Sequence, residues 1–173
     1  MSSVSDFINA GITNGGVRLN RFRVTFSLPS GLSGDTRKLA LLTQGAKVPG
    51  GNIGTTVVPY MGREVHLPGD LTLDTWDVTV TLNTMEQYHI FKRWQNRIVG
   101  TNSNLGTEDL STIFGSATIE LLGVGDTVID TFSVKLIWPS VVGGLDMNHA
   151  TNNTIGTVPV TFELNDIESA SEE

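Results

Sequence analysis

The chain has 173 residues, a formal charge of −7, 39% hydrophobic and only 17% charged residues, which fits one domain with a sizeable core and some surface that does not face water. It contains no cysteine, which excludes disulfides, thiolate nucleophiles and thiolate metal sites. No run approaches the roughly 18 apolar residues of a membrane helix, and residues 1–11 lack the basic start and apolar stretch of a secretion signal, so the expectation is a cytoplasmically made protein without stable membrane association.

The charge is unevenly spread. Residues 1–98 carry ten Lys and Arg against seven Asp and Glu, whereas residues 99–173 carry one against eleven. A solvated acidic surface accounts for this, and so does self-assembly in which unlike regions meet.

Taken in chain order, an N-terminal segment at 1–16 is a candidate for a short helix at 5–9. In RFRVTFSL, Phe22, Val24, Phe26 and Leu28 alternate with Arg21, Arg23, Thr25 and Ser27, the period of a half-buried strand. RKLALLTQGA, residues 37–46, is a weaker strand candidate. Residues 43–70 hold three prolines and many glycines between short β-like runs, TTVVPY and REVHL. That segment reads as a long extended arm or hairpin, and its lack of a clean apolar period points to a neighbouring molecule as its partner.

Leu71 and Leu73 fall out of phase with the next strand, WDVTVTL, so a bend is expected at Asp74–Thr75. In that strand Trp76, Val78, Val80 and Leu82 face in, and Asp77, Thr79 and Thr81 face out. Tyr88, Phe91, Trp94 and Ile98 then recur near helical spacing, with Asn83 and Glu86 as an expected cap and Gly100 as a stop. Lys92, Arg93 and Arg97 occupy the other face of this helix. SATIELL, the turn at residues 123–126 and a strand from Thr127 form an expected hairpin. There Val128, Phe132, Val134, Leu136 and Trp138 face one way and Thr131 and Ser133 the other. Pro139 is expected to end that strand. The last strand, VPVTFEL, places Val158, Val160, Phe162 and Leu164 inward and Thr161 and Glu163 outward. Four one-face-wet strands imply an antiparallel sheet or barrel.

Candidate chemistry is thin. Ser140, Asp146 and His149 could form a hydrolase triad, but no G-x-S-x-G elbow accompanies them and nothing fixes their spacing. His66, His89 and His149 are scattered, without metal-ligand spacing. No phosphate-binding glycine motif occurs. The expectation is no catalytic, metal or cofactor site, and no enzyme.

In order, RLNRFRVTFSLP, LTQGAKVPGG, VPYMGREVHLPGDLTLDTWDVTVTLN, FKRWQN, IWPSVVGGLDMN and NNTIGTVPVTFEL resemble the tail tube protein of contractile-tailed bacteriophages, across roughly residues 19–164. The resemblance implies a mainly β fold, an antiparallel barrel or sandwich with one flanking helix and a long hairpin arm, related to type VI secretion tube proteins. It implies hexameric rings stacked into a tube inside a sheath, with baseplate and terminator proteins at the ends and tape measure protein and viral DNA in the lumen. The setting it implies is the virion, with assembly in the host cytoplasm.

Within the arm, Val48, Pro49, Asn52, Val57, Pro59, Tyr60, Met61 and Arg63 are the implied inter-ring contacts, and the helix bearing Lys92, Arg93 and Arg97 is the implied outer flank. From the polar strand faces we infer Thr79, Thr81, Thr131, Ser133, Thr161 and Glu163 as lumen-facing. The acidic end, 165–173, departs from the family pattern. The tube of a type VI system or of a phage-derived bacteriocin is the alternative, with a small β-fold hydrolase behind it.

Overall fold

A computed structural model describes residues 4–9, 17–100, 103, 105–107, 109–145, 147–148 and 154–170. The chain runs α1 (Val4–Asn9), β1 (Phe22–Ser27), α2 (Thr36–Leu42), β2 (Thr43–Ala46), β3 (Gly51–Tyr60), β4 (Arg63–Leu73), β5 (Trp76–Thr81), α3 (Met85–Ile98), β6 (Gly115–Leu122), β7 (Val128–Val142), β8 (Thr157–Glu163) and β9 (Asp166–Ser169).

All strands but β3 and β4 join one antiparallel sheet in the order β1-β6-β7-β8-β5-β2, with β9 also on β7. The fold class is as expected: mainly β, antiparallel, with a flanking helix. Alternation explains β1, β5 and β8, because each buries every second side chain and a strand points successive side chains to opposite faces. The sheet folds over at β7, whose first half pairs with β6 and β9 and whose second half pairs with β8. Across the resulting core, the Phe26 ring lies 5.6 Å from Trp76 and 6.0 Å from Phe162. Two layers packed on a shared aromatic core make a sandwich.

The fold-over at β7 comes from two bulges that alternation does not reveal. Gly115 pairs with Ile137 and Ala117 with Val134, so β7 gains one residue at Leu136, which sits at φ 52. The extra residue reverses the parity: Leu136 is 48% exposed and Ile137 is fully buried. A second bulge lies at Ser140, between Pro139 paired with Phe162 and Val141 paired with Thr161. The strand therefore continues past Pro139 to Val142, where the sequence leads one to expect its end, and Leu136 does not share the inner face with Val134. Bulges bend and twist a strand, and two close together carry β7 from one layer to the other.

Residues 37–46 are not one strand. Asp35 caps a helix by accepting from Lys38 N at 3.1 Å, and Arg, Lys, Leu and Ala all favour helix. α2 buries Leu39 and lies along β1, and only Thr43–Ala46 extends to pair with β5.

α3 closes one flank of the sandwich through Ile90, Phe91 and Trp94, and the Trp94 indole donates to Ile113 O at 2.7 Å. Its cap lies one residue later than Asn83 and Glu86 suggest. Thr84 Oγ1 accepts from Glu86 N at 3.4 Å and Gln87 Oε1 accepts from Thr84 N at 3.0 Å, a reciprocal cap that also explains why Gln87 is buried.

The acidic end is partly built into the sheet. Asp166–Ser169 forms β9, antiparallel to the first half of β7. Between β8 and β9, Asn165 Nδ2 donates to Leu136 O at 3.4 Å, so the break between these two strands faces the bulge opposite. Among the described residues, no helix is long and apolar enough to cross a membrane.

Candidate assembly surfaces

Of the 43–70 segment, Thr43–Ala46 is β2 of the main sheet. The projecting element is the β3–β4 hairpin, Gly51 to Leu73, which forms a sheet of its own. Met61 at φ 47 and Gly62 at φ 80 turn it, the two-residue turn with both φ positive that matches strand twist. Its two strands are clasped at the root by Asp74, which accepts from Asn52 Nδ2 at 2.8 Å and donates its own N–H to Gly50 O at 2.9 Å. The expected bend falls here, in the two residues between β4 and β5.

Beyond that root nothing in the described chain covers the hairpin. From Gly51 to Thr72 every residue is exposed, including Ile53, Val57, Val58, Val65, Leu67 and Leu71, with Tyr60 at 63% and Met61 at 85%. Register assigns the faces. Val58 opposes Val65, Tyr60 opposes Arg63 and Thr56 opposes Leu67 on one side; Val57 opposes His66 and Pro59 opposes Glu64 on the other. A two-stranded ribbon is marginal alone in water, and apolar side chains on both faces mark an interaction site.

The edges of the ribbon are blunted. Counting from the closing Tyr60–Arg63 pair, Pro59 and Pro68 fall at positions whose N–H would point outward. Proline supplies no such donor, so each edge is less open to strand addition, and the apolar side chains are on the faces.

The expected contact residues are therefore not alike. Val57, Pro59, Tyr60, Met61 and Arg63 lie in the outer half of the hairpin, and Asn52 hydrogen-bonds at its root. Val48 and Pro49 precede it, with Pro49 buried. An open groove of about 400 Å³ runs between this root and β9, lined by Val48, Leu71, Leu73, Phe132, Ile167 and Asp166 among others.

The six residues inferred to face a lumen fall on two surfaces that point apart. Thr79, Thr81, Thr161 and Glu163 lie on the outer face of β5 and β8, where Thr161 Oγ1 donates to Asp77 Oδ1 at 2.7 Å. Thr131 and Ser133 lie on the outer face of the β1–β6–β7–β9 layer. That second face carries two ion pairs, Arg23 with Glu120 and Lys135 with Glu168. The Glu168 hydrogen bond holds the Lys135 ammonium above its ordinary pKa.

On α3, Arg93 is exposed, whereas Lys92 and Arg97 are half-buried. Lys92 Nζ donates to Gln95 Oε1 at 3.3 Å and lies over the Tyr88 ring. Arg97 packs over the turn at Gly31, whose φ is 76 and where a Cβ would come within 2.8 Å of the guanidinium. Ser140 Oγ donates to Thr161 O at 3.1 Å, so the second bulge of β7 engages this hydroxyl; Asp146 and His149 lie outside the described residues.

Three comparisons bear on these surfaces. The chain is 34% identical over 152 residues to a tail tube protein of Serratia phage KSP90, covering 86% of each chain. It superposes with a TM-score of 0.67 and 13% identity on a chain of the anti-feeding prophage baseplate, covering 89% of this chain and 95% of that one. With a TM-score of 0.60 and 18% identity it superposes on a chain of the PVC sheath-tube complex from an extracellular contractile injection system, covering 98% of both. These two likenesses are of fold. No protein-family model matches the chain.

Proposed function

The chain belongs to the phage tail tube protein family, and from that premise we propose that its copies close into six-membered rings that stack as the inner tube of a contractile tail, the passage for viral DNA into the host. The observation that carries this reading is the β3–β4 hairpin, apolar on both faces and bare from Gly51 to Thr72. A monomer gains nothing from such a ribbon; a filament buries it. Contacts between unlike surfaces that do not close on themselves propagate, and a projecting hairpin meeting a different surface of the next copy is a contact of that kind. The inter-ring residues of the proposal are those of the outer hairpin, Val57, Pro59, Tyr60, Met61 and Arg63, with Val48, Pro49 and Asn52 at its base.

For the lumen, the charge balance favours the β5–β8 face. Asp77 and Glu163 accompany Thr79, Thr81 and Thr161 there, and no Lys or Arg lies on those two strands. A wall that neutralised 6–10 phosphates would hold DNA tightly at low salt, whereas an anionic wall leaves it free to slide. Thr131 and Ser133 lie on the opposite layer, beside paired cations, and in this reading face away from the channel.

The sheath, the baseplate and terminator proteins and the tape measure protein are the proposed partners, with Arg93 on the exposed flank of α3 as a docking point. The chain is proposed to act in the virion after assembly in the host cytoplasm, with no catalytic step. The fold is shared with a chain of the sheath-tube complex of an extracellular contractile injection system, so an injection tube is the second reading; the phage relative at 34% identity favours the tail.

Electron microscopy of the purified protein, alone and with sheath and baseplate, tests the reading. Six-fold rings and tubes are expected, and a subunit that stays monomeric under all these conditions refutes it. Thr79→Lys with Thr161→Lys is expected to leave tubes intact and slow DNA release, while Thr131→Lys with Ser133→Lys leaves release unchanged. The reverse pattern moves the lumen to the other layer.

A further inference from the structure

The hairpin tip and the groove at the hairpin root form a matched pair of surfaces. The tip offers one apolar face, Val58, Tyr60, Val65 and Leu67, interrupted by a single cation, Arg63. Among the described residues Arg63 makes no ion pair. The groove offers Val48, Leu71, Leu73, Phe132 and Ile167, with Asp166 at its β9 wall. Tip and root are opposite ends of a hairpin whose strands have ten and eleven residues, or about 33 Å of strand, so a tip cannot fold back into its own groove.

We infer that the groove between the hairpin root and β9 receives the hairpin tip of another copy, with Tyr60 and Met61 entering the apolar floor and Arg63 facing Asp166. This rests on the tube reading above and names the receiving surface for the hairpin. Three observations carry it. Each edge lacks one outward donor, at Pro59 or Pro68, while the apolar side chains stand on the faces. The groove is apolar where the tip is apolar, and its β9 wall carries one carboxylate, Asp166, whose cross-strand neighbour Lys135 turns to Glu168. The contact joins two different surfaces of the same chain, so it repeats without closing. It also gives β9 a use: the acidic strand builds one wall of the socket while Lys135 holds its neighbouring carboxylate, Glu168.

The absence of cysteine makes disulfide trapping unambiguous. Tubes of Met61→Cys combined with Val48→Cys, or with Ser169→Cys, are expected to oxidise into ladders of covalent multimers on non-reducing gels. Met61→Cys combined with Thr25→Cys, on an outer face away from the groove, is expected to give none. Tubes that form normally but run as monomers for both groove pairs, or that ladder equally with Thr25→Cys, overturn this contact and leave the tube reading standing. A wild-type chain that never forms tubes overturns that reading and this contact together.

The charge pairing is tested separately by a double-mutant cycle. Arg63→Glu and Asp166→Arg are each expected to raise the protein concentration needed for tubes roughly tenfold, and together to bring it back to within about threefold of wild type. Losses that simply add overturn the pairing of Arg63 with Asp166.

Discussion

β5 and β3 are antiparallel strands separated in sequence only by β4, and they meet opposite fates. β5 reads Trp-Asp-Val-Thr-Val-Thr and buries every second residue. β3 reads Gly-Asn-Ile-Gly-Thr-Thr-Val-Val-Pro-Tyr and buries none. Both are rich in β-branched residues, so β propensity does not separate them. Alternation does: a strand that serves one core keeps one apolar face, whereas one that serves other copies carries apolar residues on both and relies on contacts its own chain does not make.

The contrast is sharpest at the centre of the sandwich. Phe162→Ala removes a fully buried ring in contact with Phe26, Trp76, Phe91 and Trp94, and is expected to cost about 3–5 kcal/mol, read as a collapse of the urea midpoint of the monomer. Thr84→Ala, which loses the hydroxyl end of the α3 cap, is expected to cost about 1 kcal/mol in the same measurement. Val58→Asp with Val65→Asp, on the hairpin, should shift the monomer midpoint by less than about 0.5 kcal/mol yet abolish tubes in the microscope. A large loss of monomer stability from that last pair would place the hairpin in the core and erase the distinction. Replacing residues 52–72 with a short Gly-Ser linker carries the comparison to its limit, with unchanged far-UV dichroism of the sandwich and no stacking expected.

Much of this was legible in the residues. β1, β5, β8 and α3 announce themselves by a period of 2 or 3.6, and the hairpin by having apolar content with no period. What was hidden lies where local preference and tertiary demand part company. α2 has a strand-like apolar density, but its residues are helix formers and Asp35 supplies a cap. The bulges at Leu136 and Ser140 leave no mark, because neither position holds a glycine and a one-residue register change alters no composition. β9 reads as a solvated acidic tail because its strand character comes from the edge of β7 it completes, not from its own side chains. The two-surface division of the threonine faces follows from the fold-over at β7, which the bulges create.

The hairpin also differs from the sandwich in when it can exist. Its strands are neighbours in sequence and close through a two-residue turn, an event of roughly 1–10 μs. The sandwich must bring Arg23 to Glu120 and Asp77 to Thr161, 97 and 84 residues apart, and such distant pairings are slow to form. On the ribosome β3 and β4 emerge well before β6 and β8, so the turn of the ribbon can close transiently while the body that will carry it is still unfinished. Tyr60 and Met61, exposed in the finished subunit, are thus in solvent before the sandwich that carries them has closed.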